Sequence, residues 1–204
     1  MSIQYFYPPQ PFRIWPNSNL LCKLDQDPDW IAEIKYNGWR LLIFIEDDIR
    51  LFNRYNKEIQ INKSIFRQHF EHIPPGTIFD GELVHFRSTD IKNTIVIWDT
   101  PFYNGQDIRK KPLSDRKIYL DHFKVAPRTI KANSNVKVYR SQIFKSGNFR
   151  RLYVNTVDKK NNLEEGIVIK KLSSVYDFSF TRGIETKYWI KIKAIGDHAK
   201  IENV

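Results

Sequence analysis

The sequence predicts an α+β fold of mainly antiparallel sheets flanked by a few helices. Two observations predict it. Most of the chain alternates apolar and polar residues over short segments, and only three segments carry apolar residues at helical spacing. Strands interspersed with few helices, some of them joined as hairpins, are typical of this class.

Seven segments are predicted as strands, because isoleucine, valine, tyrosine and tryptophan favour half-buried strands. Asn37-Gly38, one of the strongest two-residue hairpin signals, predicts that a hairpin begins the series. A turn at 46–48 separates the first two segments, and a polar stretch with Ser88, Thr89 and Asp90 follows the third. In chain order the segments are RLLIFIE, IRLFNR, TIFDGELVHF, NTIVIWDT, VKVYRSQIF, EGIVIKKL and KYWIKIK.

Three helices are predicted. Residues 62–72 carry apolar side chains at helical spacing, Ser114 caps a helix that runs through Phe123, and residues 149–157 follow the amphipathic pattern. Residues 1–30 are rich in proline and aromatics, so they are expected to form an irregular arm packed on the sheet, with a docking peptide as the alternative. Residues 31–204 are expected to form one domain.

Composition narrows the class of protein. The 204 residues carry a net charge of +10, and residues 127–204 hold 16 Lys and Arg against 7 Asp and Glu. This basic half favours a polyanion partner, with nucleic acid first. The chain lacks a run of roughly 18 apolar residues and a signal-peptide pattern, which argues against a membrane protein. The single cysteine, Cys22, excludes an internal disulfide and fits a reducing cytosol, so a cytoplasmic or nucleoid-associated protein is expected.

Five short segments stand out together, although each alone has an ordinary structural explanation. They are EIKYNGWR (33–40), FDGELV (79–84), IVIWD (95–99), EEGIVIK (164–170) and WIKIK (189–193). In this order and spacing they resemble the nucleotidyltransferase core of ATP-dependent DNA ligases, which is shared with RNA ligases and mRNA capping enzymes. The resemblance covers residues from about 30 to 195. It implies an ATP-grasp-like nucleotidyltransferase (adenylylation) domain over 31–204.

The resemblance implies that Lys35 is the nucleophile that takes AMP from ATP. A free lysine has a pKa near 10.4 and is inert while protonated, so neighbouring cations and a metal must lower that value. Lys191 and Lys193 are suitable neighbours, because alternation places both on one face of their strand. They are implied to contact the α-phosphate and to stabilise charge in the transition state.

The other implied roles concern the nucleotide and magnesium. Glu33 is implied to help position adenine, and Arg40 to bond the ribose or the reacting end. Arg54 is implied to meet a phosphate, which suits its planar fork. Glu82 and Glu165 are implied to lie near Mg²⁺, which commonly takes one or two carboxylates plus phosphate oxygens. Trp98 is implied to stack on the purine, and a core tryptophan is the alternative.

Two departures from the family pattern widen the choice of function. Asn37 stands where DNA ligases carry aspartate, and only eleven residues follow Lys193, too few for the OB-fold domain that ligases add. The sequence predicts an ATP-dependent DNA ligase core acting on nicked DNA. The alternatives are an RNA ligase, a degenerate nucleotide- or nucleic-acid-binding module and, more distantly, a capping guanylyltransferase. The chain is interpreted as a small ligase, an excised domain, or an enzyme whose partner supplies the OB-fold or a DNA-binding domain.

Overall fold

Two β-sheets and four helices make up the described chain. The computed structural model describes residues 3–16, 18–84, 93–127, 130, 136–158 and 163–193, so Ser88, Thr89, Asp90 and the segment after Lys193 lie outside it. The strands are β1 (Gln10–Arg13), β2 (Trp30–Tyr36), β3 (Trp39–Ile45), β4 (Ile49–Asn53), β5 (Thr77–Val84), β6 (Thr94–Tyr103), β7 (Gln106–Asp107), β8 (Lys124–Val125), β9 (Lys137–Arg140), β10 (Phe144–Lys145), β11 (Glu164–Lys171) and β12 (Glu185–Lys193). The helices are α1 (Asn19–Gln26), α2 (Ser64–Arg67), α3 (Leu113–Ile118) and α4 (Phe149–Val157).

The strands form a five-stranded sheet in the order β1-β12-β11-β2-β10 and a seven-stranded sheet in the order β4-β3-β5-β6-β9-β8, with β7 beside β6. Only the pairs β1–β12, β6–β9 and β8–β9 are parallel among the described strands. The predicted α+β class with mainly antiparallel sheets is confirmed.

The predicted hairpin at Asn37-Gly38 is wrong, because the turn connects the two sheets. β2 pairs with β10 and β11, whereas β3 pairs with β4 and β5. Neither Asn37 nor Gly38 has a positive φ, although a type I′ hairpin turn needs one at both positions. β2 and β3 are buried along most of their length, so each finds partners in its own sheet. The turn at 46–48, by contrast, does join an antiparallel pair, β3 and β4.

The N-terminal segment is more regular than the predicted arm. β1 adds to the edge of the five-stranded sheet beside β12, and α1 follows it. Ser18 begins α1, since its Oγ accepts the Leu20 N–H at 3.2 Å. The helix buries Leu21 and Leu24, one turn apart. The proline-rich composition concealed this short amphipathic pattern.

Two of the three predicted helices are shorter than predicted. α2 ends at Arg67 and α3 ends at Ile118. Each is followed by turns in which an N–H bonds to the carbonyl three residues earlier, as Phe70 N–H does to Arg67 O. Phe66, Phe70 and Ile73 remain buried across these turns, so the apolar spacing reflects burial rather than a continuous helix. α4 has the predicted bounds, and no described helix is long and apolar enough to span a membrane.

A buried apolar cluster joins the two sheets. It contains Leu42 and Phe44 of β3, Trp189 of β12 and Phe6 of the N-terminal segment. A second cluster packs α1 and α4 on the five-stranded sheet, and a third packs α2 against the seven-stranded sheet. The sheets are therefore held together by a shared core, beside which a polar cleft opens.

Candidate active site

The cleft has a volume of about 560 Å³ and takes its lining from both sheets. β2, β11 and β12 contribute from the five-stranded sheet, while β3, β5, β6 and the turn after β4 contribute from the other. The structure brings together all the residues singled out by the sequence. They are Glu33, Lys35, Arg40, Arg54, Glu82, Trp98, Glu165, Lys191 and Lys193.

Lys35 lies in a cluster of charged side chains that line the cleft. Its ammonium pairs with Oε1 of Glu165, and Lys193 Nζ donates to the other carboxylate oxygen at 2.9 Å. Burial raises the pKa of Glu165, but the charges of Lys35 and Lys193 outweigh it and the net shift is downward. The pKa of Lys191 is lowered by burial and by Lys193 and Lys35, against the opposing pull of Glu185. This concentration of positive charge suits a phosphate group.

Gly166 allows the two strands that carry the lysines to meet Glu165. Gly166 is paired with Lys35 on one side and with Lys193 on the other. Its φ is +144°, and a Cβ atom here would lie 1.9 Å from the Ile192 carbonyl oxygen. The close approach of β12 therefore requires glycine.

Replacing Gly166 with alanine is expected to destabilise the fold by about 2–4 kcal/mol, since strain at φ and overpacking both act. Gly147→Ala is the matched control: its φ of +97° is also unfavourable, but no atom lies within 4 Å of the added Cβ. Urea unfolding of both variants measures the difference. Equal losses for the two variants would contradict a role for the β12 contact.

Gly38 is constrained by packing rather than by its φ. A Cβ here would lie 2.5 Å from the Leu83 carbonyl oxygen and 2.7 Å from Glu82 Cγ. Its N–H donates to Glu82 Oε1 at 3.0 Å. The linker between the sheets is thus fixed against β5, and it orients the Glu82 carboxylate into the cleft.

Glu82 is buried, and burial raises its pKa to about 7. The negative charge of Glu165 also raises this pKa, whereas the positive charges of Lys35 and Arg40 lower it. Between about pH 4.5 and pH 7 the folded state consequently holds a proton that the unfolded state has lost. Stability must fall as the pH rises through this window.

Glu82→Gln is expected to abolish this loss, on the order of 3 kcal/mol between pH 4.5 and 8. The amide oxygen can still accept the Gly38 N–H. Denaturant unfolding at several pH values, with Glu71→Gln as an exposed control, measures the effect. A wild-type-like pH dependence in Glu82→Gln would contradict the assignment.

Arg40 is held largely by the protein. Its Nε and Nη2 donate to Asp80 at 2.9 and 2.5 Å, and Nη1 donates to the Pro9 carbonyl. Tyr176 Oη donates to the same carboxylate at 2.8 Å. Two of the five N–H groups of Arg40 remain for a ligand. Sequence reasoning missed Asp80 as a site residue, although it lies in the quoted FDGELV segment.

Glu33 lines the cleft, is buried and is bound by three side chains. Its Oε1 accepts from Lys117 Nζ and Ser141 Oγ, both at 2.5 Å, and its Oε2 pairs with Lys170 at 2.6 Å. Burial raises the pKa of Glu33, but the two ammonium groups outweigh it and lower the value to about 2. Burial lowers the pKa of Lys170 to about 8, despite Glu33. Sequence reasoning missed both lysines: Lys170 ends the EEGIVIK segment, whereas no signal marked Lys117.

Trp98 is partly exposed and lines the cleft between two cations. Arg40 Cζ lies 5.7 Å, and Lys170 Nζ 5.2 Å, from its ring centroid. The indole N–H is buried and finds no acceptor within the described ranges. Val168 of β11 also lines the cleft. A flat apolar ring at the wall of a cationic cleft is suited to a base that carries phosphates.

Residues 4–191 match the family model described as mRNA capping enzyme, catalytic domain. The two sheets and the cleft between them define a nucleotidyltransferase domain. The chain belongs to this family. It is also similar to relatives and solved structures that carry DNA ligase names.

Two curated relatives carry ligase names. The chain is 30% identical over 185 residues to the SPbeta prophage-derived DNA ligase-like protein LigB of Bacillus subtilis, covering 81% of this chain and 62% of the relative. It is 26% identical over 199 residues to a DNA ligase of Thermoplasma volcanium, covering 79% of this chain and 30% of the relative. The chain thus spans less than two thirds of the length of either relative.

Solved structures share the fold. Mycobacterial DNA ligase D, complexed with ATP and MES, has a TM-score of 0.53 at 18% identity, over 80% of this chain and 54% of that one. Chlorella virus DNA ligase-adenylate has a TM-score of 0.52 at 18% identity, over 90% of this chain and 67% of that one. These likenesses confirm the predicted fold.

Proposed function

We propose that the chain is the adenylylation core of an ATP-dependent DNA ligase, with Lys35 as its nucleophile. The observation that carries the proposal is the position of Lys35, which lies in a nucleotide-sized cleft, paired with Glu165 and in the electrostatic field of Lys191 and Lys193. The relatives named as DNA ligases and the ATP-complexed ligase structure support the choice of nucleotide and substrate.

In the proposed first step, Lys35 Nζ attacks the α-phosphorus of ATP. A P–N bond forms, the bond from this phosphorus to the bridging oxygen breaks, and pyrophosphate leaves. The lysine proton leaves through Glu165, which already accepts a hydrogen bond from the ammonium. Lys191 and Lys193 offset the negative charge that grows on the phosphoryl oxygens. The base stacks on Trp98.

In the following steps a 5′-phosphate oxygen at a DNA nick attacks the AMP phosphorus, and the P–N bond to Lys35 breaks. The adjacent 3′-hydroxyl then attacks the 5′-phosphate and displaces AMP, which closes the strand. In the first two steps the AMP group passes from oxygen to nitrogen and back to oxygen, and in the third the 3′-oxygen replaces the AMP oxygen at the 5′-phosphate, so no step needs a redox partner.

The carboxylates of Glu82 and Glu165 fit Mg²⁺, which they would hold together with phosphate oxygens. Within the described ranges no three or more His, Cys, Asp or Glu side chains are grouped for a metal ion. Mg²⁺ commonly takes one or two carboxylates and completes its shell with phosphate oxygens and water. The metal would supply charge neutralisation at the phosphates.

Incubation with Mg²⁺ and α-labelled ATP or GTP, followed by denaturing electrophoresis, tests the proposal. Retained label from ATP, and its loss on chelation of Mg²⁺, is the expected result. Label from GTP would instead favour a capping guanylyltransferase, and no covalent label from either nucleotide would favour a binding module.

Sealing of nicked DNA but not nicked RNA then separates a DNA ligase from an RNA ligase. The curated relatives are longer than this chain, so sealing is also measured with an added partner OB-fold or DNA-binding domain.

A further inference from the structure

Two aromatic side chains stand exposed at the mouth of the cleft. Trp39 is 38% exposed and Tyr55 is 60% exposed, and both line the cleft. The β3–β4 ladder pairs Leu41 with Asn53, so Trp39 and Tyr55 each lie two residues beyond the same end of the ladder. Large aromatic side chains exposed at the same end of a ladder and lining a polar cleft indicate a binding surface.

The turn that carries Tyr55 is held in place by hydrogen bonds. Asn53 Oδ1 accepts the N–H groups of Tyr55 and Lys57 at 2.9 and 3.1 Å, and Tyr5 Oη donates to the Asn53 carbonyl at 2.9 Å. These bonds fix the backbone of the turn, so the exposure of Tyr55 does not come from a loose loop.

A positive charge accompanies the two rings. Arg54 Cζ lies 4.7 Å from the Tyr55 ring centroid, and its Nη2 donates to Tyr55 Oη at 2.5 Å. A second pair of the same kind lies at the end of β1, where Arg13 is paired with Lys191. Its Cζ lies 5.0 Å from the ring of Trp15, which follows the strand and is 56% exposed. Aromatic platforms combined with arginine are the features by which proteins bind unpaired nucleotides.

We propose that Trp39, Arg54 and Tyr55 form a stacking rim that holds an unpaired base at the end of a polynucleotide strand, next to the nucleotide cleft. In a continuous duplex, neighbouring bases cover both faces of each base, and only an unpaired base offers a free face to a side chain. The preferred substrate is therefore a broken strand with unpaired nucleotides at the break rather than a fully paired nick. The identification of the polymer as DNA rests on the proposed function.

Binding of two DNA probes without ATP tests the rim separately from adenylylation. The first probe is a 5′-phosphorylated single strand, and the second is the same strand within a fully paired nicked duplex. Fluorescence anisotropy at fixed salt gives both affinities. Wild-type protein is expected to bind the single strand about tenfold more tightly, and to lose tryptophan fluorescence as Trp39 stacks.

Trp39→Ala and Tyr55→Ala are each expected to weaken single-strand binding about 5- to 150-fold, the range for loss of one base–aromatic stack, and to leave nicked-duplex binding almost unchanged. Trp39→Phe and Tyr55→Phe should restore most of the affinity. Arg54→Ala should lower the salt dependence of binding to both probes by about one ion. Phe180→Ala, 51% exposed but outside the cleft lining, and Arg67→Ala, on α2, are the matched controls.

Equal wild-type affinity for the two probes, or an equal loss for both in Trp39→Ala and Tyr55→Ala, would overturn the rim. Because Tyr55 is mostly exposed, its alanine variant remains informative where Trp39→Ala fails to fold. Absence of lysyl-AMP in the wild type would overturn the proposed ligase chemistry but would leave this binding comparison intact, so the two failures are distinguishable.

Discussion

Lys35→Ala is expected to reduce covalent attachment of AMP to background. Lys35→Arg is the sharper variant, because it keeps a positive charge beside Glu165 while a guanidinium stays protonated and cannot act as the nucleophile. Both variants should fold, since Lys35 lies at the cleft and contributes no side chain to the apolar core. The measurement is retained label after incubation with Mg²⁺ and α-labelled ATP.

Lys124→Ala provides the matched control. Lys124 lies on β8, is exposed and does not line the cleft, so its loss should leave labelling at the wild-type level. Labelling of Lys35→Arg at the wild-type level would show that another lysine carries the nucleotide. Peptide mass mapping of the labelled wild type gives an independent check on the modified residue.

Arg116→Met is expected to cost about 3–5 kcal/mol of unfolding free energy, because it leaves a buried carboxylate without its partner. Arg116 and Asp99 are fully buried and joined by two hydrogen bonds of 2.8 and 2.9 Å. Arg116 Nη1 also donates to the Lys111 and Ser174 carbonyls at 2.5 and 3.0 Å. The Arg116 guanidinium thus connects α3 to β6 and to the segment after β11 through hydrogen bonds.

Denaturant unfolding of Arg116→Met, Asp99→Asn and the double variant measures this pair. The double variant should cost about 0.5–3 kcal/mol less than the sum of the single variants. Arg67→Ala removes an exposed Arg67–Asp48 pair of 3.0 Å and should cost no more than about 1 kcal/mol. Additive losses in the cycle would contradict direct coupling between Arg116 and Asp99.

The pair also supports the cleft. Trp98 precedes Asp99 on β6, and Lys117 follows Arg116 on α3 and reaches Glu33. Loss of Arg116 should therefore weaken ATP binding as well as stability, which equilibrium binding at a temperature below the unfolding transition would detect.

Features of the fold that depend on neighbouring residues could be predicted from the sequence, whereas features that depend on contacts between distant segments could not. Alternation along β12 and the strand-favouring residues of β3 and β5 identified these strands, since both signals lie within each segment. The Asn37-Gly38 signal correctly located a turn but not its partners, because pairing of β2 and β3 depends on burial against distant strands. Helix ends were misplaced where apolar spacing continued into buried turns.

The candidate site follows the same division. Short quoted segments supplied nine residues that the fold brings to one cleft. The roles of Arg40 and Glu33 were harder to anticipate, because each is held by residues from remote segments. Asp80 and the Pro9 carbonyl hold Arg40, and Tyr176 donates to Asp80. Lys117 and Lys170 neutralise Glu33. Such contacts leave no periodic trace in the sequence.

The separation of the cleft residues along the chain has a consequence for biosynthesis. Lys35 and Glu165, which form an ion pair, lie 130 residues apart, and Lys191 and Lys193 belong to the last described strand. A nascent chain that has not yet released β12 from the ribosome carries Lys35 but not Lys191 and Lys193 around it. Attachment of a nucleotide would thus report that synthesis has passed β12 and that both sheets have docked. Incomplete chains would remain unloaded.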